Sequence, residues 1–282
     1  MSQMMTTARH GLPRPAGPAR AGLPGALRAE WTKLRTVPGN AGILASASVL
    51  TVAVGAATAA ATRCGAGTRC AIDPTKVSLT GIEVGQAVVA VLAVLVISGE
   101  YSTGMIRTTF TAMPRRWTVL AAKAAVLTGL VLAAAVVAVA GSLAAGRLIL
   151  AGTGITAAHG FAVVSLAHGP TVQAAVGSVF YLALVGLLSL GIAAIVRDSA
   201  AATGAVLAML YVPPVLALFL GSEPTWQHWA ERYTPTNAGL AILNTAGLRG
   251  LTISPWAGLG VLAAWAAAAL LAAGVLLRLR DA

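Results

Sequence analysis

Between two long apolar runs lies Gly99-Glu100-Tyr101-Ser102-Thr103-Gly104-Met105-Ile106-Arg107-Thr108-Thr109-Phe110-Thr111-Ala112-Met113-Pro114-Arg115-Arg116-Trp117. The stretch gathers an acid, arginines and aromatic rings in a chain that has only 8 acidic residues among 282. Guanidinium and carboxylate groups make charge-assisted hydrogen bonds of the kind that grip a partner. Gly99 and Gly104 loosen the backbone. Met105 to Met113 is long enough for about two helical turns. Pro114 suits the first turn of the next helix, and Arg115 and Arg116 would hold that helix end at a charged surface. A short helix clamped this way would show Met105, Arg107 and Phe110 to a docking partner. A basic hairpin that only sets topology accounts for the same residues.

Other reactive side chains are sparse. Cys64 and Cys70 flank Gly65-Ala66-Gly67-Thr68-Arg69, and the glycines would let so small a loop close. A Cys64–Cys70 disulfide is expected if the loop faces an oxidising compartment; two free thiols are the alternative. The loop has too few ligands for a metal. His10, His159, His168 and His228 all lie outside the charge-free apolar runs, which speaks against a haem held between helices. The chain has no GxxxxGK[ST], HExxH or GxSxG. Neither catalytic residues nor a bound cofactor are therefore expected, and the chain should not hydrolyse ATP itself.

These residues must be positioned by membrane-spanning elements. The chain is 57% hydrophobic and 10% charged, with a mean hydropathy of +0.83. Soluble domains carry about 25% charged residues, so an all-α integral membrane protein is expected. Backbone groups in lipid must be satisfied internally, and the apolar runs lack the short alternation of a barrel. Six spans are predicted, at about 41–62, 84–98, 118–146, 171–196, 200–220 and 256–277. The second is short and bracketed by Glu83 and Glu100. The fifth is broken by Pro213-Pro214. Leu148 to Gly169 reads as an outer loop that can dip toward the membrane.

Arginine and lysine set the orientation. With the N-terminus inside, the inner side takes Arg107, Arg115, Arg116, Lys123, Arg197, Arg278 and Arg280, besides the basic N-terminal stretch. The outer side takes only Arg63, Arg69, Lys76, Arg147, Arg232 and Arg249. The positive-inside rule favours this arrangement, with both termini cytoplasmic. The formal charge of +11 then meets anionic lipid. No nucleic acid is expected, because no soluble basic domain is present to hold it. Lys123, about a turn and a half inside the third span, is expected to snorkel to the inner edge.

Residues 1–26 are rich in Pro, Gly and Arg, lack an apolar core for a signal peptide, and read as a disordered cytoplasmic tail. Residues 27–36 place Leu27, Trp31 and Leu34 on one helical face, which suits a helix lying in the membrane interface. The last outer loop, Gly221 to Pro255, holds Trp226, Trp229 and Tyr233, as helices anchored at the outer surface would.

Taken in order, these segments resemble the membrane subunit of bacterial ABC transporters, the ABC-2 type permease family. Glu30-Trp31-Thr32-Lys33-Leu34-Arg35-Thr36 is similar to that family's elbow helix. Gly99 to Thr109, with Pro114-Arg115-Arg116 and Lys123, resembles its first cytoplasmic loop. Arg197-Asp198-Ser199-Ala200, Pro235-Thr236-Asn237-Ala238-Gly239, Pro255-Trp256-Ala257-Gly258-Leu259 and Arg278-Leu279-Arg280-Asp281-Ala282 match in sequence order. The resemblance covers roughly residues 26–282. It implies a six-helix transmembrane domain over 27–282, paired with a second permease chain in a bacterial plasma membrane. Separate ATPase subunits binding ATP and Mg would dock beneath it, and export would be the usual direction. The loop becomes a coupling helix, and Glu100, Tyr101, Gly104, Arg107, Phe110, Pro114, Arg115 and Arg116 carry over as contact or loop-fixing residues. Glu30, Trp31, Lys33, Leu34 and Arg35 carry over to the elbow. The Pro- and Arg-rich tail and the Cys64/Cys70 loop depart from the family pattern. The residues also leave open a membrane anchor or regulator without transport, and an ion-coupled carrier. The carrier fits less well, because no acid lies deep in a span.

Overall fold

The computed structural model describes residues 22–36, 38–62, 72–102, 104, 116–152, 169–219, 224–246 and 248–279. Cys64, Cys70, Arg107, Phe110, Pro114 and Arg115, and the helix expected over Met105 to Met113, lie outside the described residues. So does all of the expected tail except Gly22 to Ala26.

Ten α-helices follow one another among the described residues: α1 Leu23–Thr36, α2 Pro38–Ala61, α3 Pro74–Leu79, α4 Ile82–Ser102, α5 Arg116–Gly152, α6 Gly169–Val196, α7 Ser199–Phe219, α8 Pro224–Tyr233, α9 Pro235–Leu240 and α10 Pro255–Leu279. Two single 3-10 turns, Ala241–Leu243 and Leu248–Gly250, link α9 to α10. No strand occurs among the described residues. Six helical stretches are long and apolar enough to cross a membrane.

Three boundaries differ from the sequence expectation. The second span is not short: α3 and α4 together give an apolar stretch over Pro74–Tyr101. Glu83 lies in the first turn of α4 rather than before it, where a carboxylate faces the positive end of the helix dipole. The third span continues to Gly152, so Leu148 to Gly152 extend that helix instead of opening a loop. Pro213 and Pro214 do not break α7, which runs through both. A helix among other helices can have its freed carbonyls satisfied locally, so a proline pair is tolerated there.

The centre of the bundle is α6. It packs against α4, α5, α7 and α10, while α2 closes against α4 and α5. From Tyr181 to Ala194 its buried residues run round the helix, while Val172, Val176 and Phe180 leave one exposed stripe before them. Lipid is as apolar as leucine, so close helix contact comes from small residues rather than from hydrophobic exclusion. A Cβ on Gly191 would lie 2.8 Å from the main chain of Ala269 on α10, and one on Gly81 would lie 1.9 Å from the carbonyl oxygen of Thr51 on α2.

Among the described residues, the last inter-span segment is more than surface anchors. Trp229 and Tyr233 on α8 are exposed, as anchors would be, but Thr236, Ala238, Ile242 and Leu243 are buried. A Cβ on Gly239 would meet the Tyr181 ring at 2.6 Å. The Tyr181 hydroxyl donates to Gln86 Oε1, and the Tyr211 hydroxyl donates to the main-chain carbonyl of Glu83. Thus α9 is wedged into the bundle beside α6 and α10. A latch fixes the same end. Asp73 accepts from the Thr245 amide at 2.6 Å, the Ala246 amide at 3.0 Å, the Thr245 hydroxyl at 2.6 Å and the Lys76 amide at 3.1 Å.

Glycine packing gives a contrast that can be measured. Gly81→Val should lower the thermal unfolding midpoint of the detergent-solubilised chain by several degrees or abolish folding, because its Cβ meets backbone. Gly129→Ala, with open space around the new methyl, should leave the midpoint unchanged or raise it slightly.

Candidate functional site

Four charged side chains from three helices meet at one end of the bundle. Lys123 lies two turns into α5 and is the one charged residue between Arg116 and Arg147 on that helix. Its side chain is 2% exposed. Lys123 Nζ donates to Glu30 Oε2 at 2.7 Å, to Glu100 Oε1 at 2.8 Å and to the Val96 carbonyl at 3.4 Å. Lys33 Nζ donates to the same Glu100 oxygen and lies 4.0 Å from Glu30 Oε1. Two ammonium groups thus balance two carboxylates.

The expected snorkelling of Lys123 is therefore incorrect. A snorkelling lysine keeps its head in water, whereas this one is enclosed with its acceptors. Taking ions out of water costs several kcal/mol each, and close opposite charges with further hydrogen bonds offset that cost. Three acceptors around Nζ match the three protons of an ammonium.

Sequence placement of α1 also needs correction. It begins at Leu23, inside the expected tail. Its buried face is Ala26, Glu30 and Leu34, spaced four apart, rather than Leu27, Trp31 and Leu34. Trp31 is 49% exposed, and Arg35 is exposed. The polar Glu30 faces inward because Lys123 is there to receive it. This face packs chiefly on α5.

The root of the Gly99–Trp117 loop is held on both sides. At the end of α4, Tyr101 offers its ring to the guanidinium of Arg197 at 5.5 Å. Gly104 adopts φ +70, a left-handed conformation that glycine takes without a Cβ penalty. On the other side Arg116 opens α5, and its side chain lies outside the described residues. Trp117 packs under Arg278 of α10, 5.3 Å from ring centre to guanidinium. A Cβ on Gly274 would fall 2.1 Å from that indole.

Arg197 joins α6 to α7. Its φ of +63 makes it the one non-glycine residue with positive φ among those described. Asp198 then caps α7, accepting from the Ala201 amide at 2.7 Å. Arg197, Arg278, the quartet and the loop root all occupy the same end of the bundle. Of the loop-fixing residues expected from sequence, Glu100 and Tyr101 join this assembly, and Glu30, Lys33 and Leu34 join it from α1.

Lys123 as a buried partner was missed. One signal existed: the chain has only three lysines, Lys33, Lys76 and Lys123. All three head groups are fixed by acceptors, Lys76 by Asn244 Oδ1 at 2.9 Å. A compact ammonium suits several acceptors converging on one point, while a planar guanidinium does not. No group of His, Cys, Asp and Glu among the described residues is placed to hold a metal.

No family model matches the chain, and no curated protein matches it.

Removing one member of the quartet leaves an unbalanced buried charge. Lys123→Met should destabilise the solubilised chain by about 3 kcal/mol, the usual cost of breaking a buried ion pair. Adding Glu30→Gln to that variant should restore part of the loss. Thermal unfolding in one detergent, read for wild type, single and double variants, checks both.

Proposed function

We propose that the chain is the membrane-spanning permease subunit of an ATP-driven exporter of the ABC-2 type. A separate ATPase would bind ATP and Mg and supply the work. A second permease chain would complete the pathway in a bacterial plasma membrane, with both termini cytoplasmic. In this reading α1 is the elbow helix, with Trp31 at headgroup level and Arg28 and Arg35 near anionic lipid. The Gly99–Trp117 segment is the coupling loop, through which Arg107, Phe110, Arg115 and Arg116 meet the ATPase.

The observation that carries this reading is the quartet of Glu30, Lys33, Glu100 and Lys123. It joins α1, α4 and α5 at the root of the loop. A force on a loose hairpin would be lost in bending the hairpin. A force on a loop whose two stems share a buried ion cluster moves both stems together, as a rigid-body transition requires. Tyr101–Arg197 and Trp117–Arg278 extend the same connection to α6, α7 and α10. The apolar spans suit an apolar or amphipathic cargo.

The test is biochemical. Co-expressed with the ATPase of a neighbouring gene, the tagged chain should capture that ATPase in mild detergent. Arg107→Glu should insert normally yet lower coupled ATP hydrolysis by roughly tenfold, the scale of a charge reversal at a docking contact. Failure to capture any ATPase, or unchanged hydrolysis by Arg107→Glu, would defeat the docking role.

A further inference from the structure

At the opposite end of the bundle is a cavity of about 400 Å³ between α3, α4, α7 and the wedged segment. Its volume falls in the range of small-molecule sites, roughly 300–1,000 Å³. Among the described residues Glu83 and Glu231 line it together with one cation, Lys76. Pro214, Ala217 and Leu251 give it an apolar wall. Glu83 lies seventeen residues before Glu100, hence about 26 Å from the ion cluster along α4. That is close to the ~30 Å of a bilayer core, so the cavity opens near the far face.

The charges in the cavity are unequally committed. Lys76 Nζ is already bound to Asn244 Oδ1 at 2.9 Å. Glu231 Oε2 accepts from the Thr252 hydroxyl at 2.7 Å. Among the described residues no side chain donates to the Glu83 carboxylate. Its main-chain carbonyl is held by Tyr211. Among the described residues two carboxylates face one ammonium, an excess of negative charge. An anionic ligand would be repelled, and a neutral apolar one would strip water from both acids without return. A hard divalent ion wants more oxygen ligands than two separate carboxylates supply.

We infer that this cavity binds the cationic head of an amphipathic amine or quaternary ammonium, with Glu83 and Glu231 taking the charge and the Pro214–Ala217–Leu251 wall taking the hydrocarbon. The ammonium can belong to a free amphiphile or to a lipid headgroup. Binding is independent of the export reading, and its test needs no ATPase.

The probe is tritiated tetraphenylphosphonium, added to the purified full chain in a neutral maltoside detergent. Saturable binding is expected, with competition by unlabelled cation but not by tetraphenylborate, which has the same shape and opposite charge. Glu83→Gln and Glu231→Gln should each weaken binding about tenfold, the scale of removing one nearby opposite charge. Ala217→Trp should abolish binding without altering charge, and keeps the test decisive if a glutamine variant fails to fold. Displacement by phosphatidylethanolamine would assign the ammonium to lipid, and its failure would assign it to a free amphiphile; either result supports the site. No saturable binding, equal competition by tetraphenylborate, or wild-type affinity in folded Glu83→Gln and Ala217→Trp would overturn the inference.

Discussion

A lysine cannot remain charged inside an apolar helix unless acceptors come to it, and that requirement organises one end of this protein. Lys123 draws Glu30 from a helix 93 positions earlier and Glu100 from one 23 positions earlier. Glu100 in turn fixes Lys33, so α1 cannot lie freely in an interface. The inward face of α1 is set by this pairing and not by its hydrophobic residues. Position and charge balance arise together: each ion is affordable only because the other three are present.

Much of the architecture was legible in the sequence. Hydropathy located all six spans, because length and charge density decide whether a segment can cross lipid. The errors came from treating single residues as boundaries. Glu83 ended the second span in the sequence reading, though a helix N-terminus accommodates an acid. Pro213-Pro214 was read as a break inside the fifth, though neighbouring helices can tolerate such a pair. The quartet was not legible, since an amphipathic reading of residues 27–36 counts apolar side chains only. Glu30 belonged to the polar side by that count. Only the position of Lys123 in space, unavailable to periodicity, reverses it. Glu100 and Tyr101 were singled out by their loop, while the fit between them and α1 required the packed bundle.

The two ends of the bundle are built differently. One end is held by ions and by guanidinium groups over rings. The other is held by small residues and by hydrogen bonds to the Asp73 carboxylate and between neutral groups, with α9 pressed against Tyr181 through Gly239. Direct attraction between ions depends on geometry at a few atoms, whereas the glycine contacts depend on clearance along the backbone. A change of shape in this protein is therefore resisted by different physics at each face. The proline pair of α7 lies between the two regimes and adjoins the cavity.

The latch at Asp73 has a consequence for the order in which the molecule is made. Its acceptor oxygens wait for the amides of Thr245 and Ala246, 172 and 173 positions further along the chain. The ion quartet, in contrast, has all its members once α5 has emerged from the ribosome. Synthesis runs from the N-terminus, and domains assemble as their segments become available. During biogenesis the charged end can therefore close once three spans are in place. The far end must stay unlatched until the segment before α10 arrives, so that any nascent chain halted before that point carries an acid still awaiting its donors.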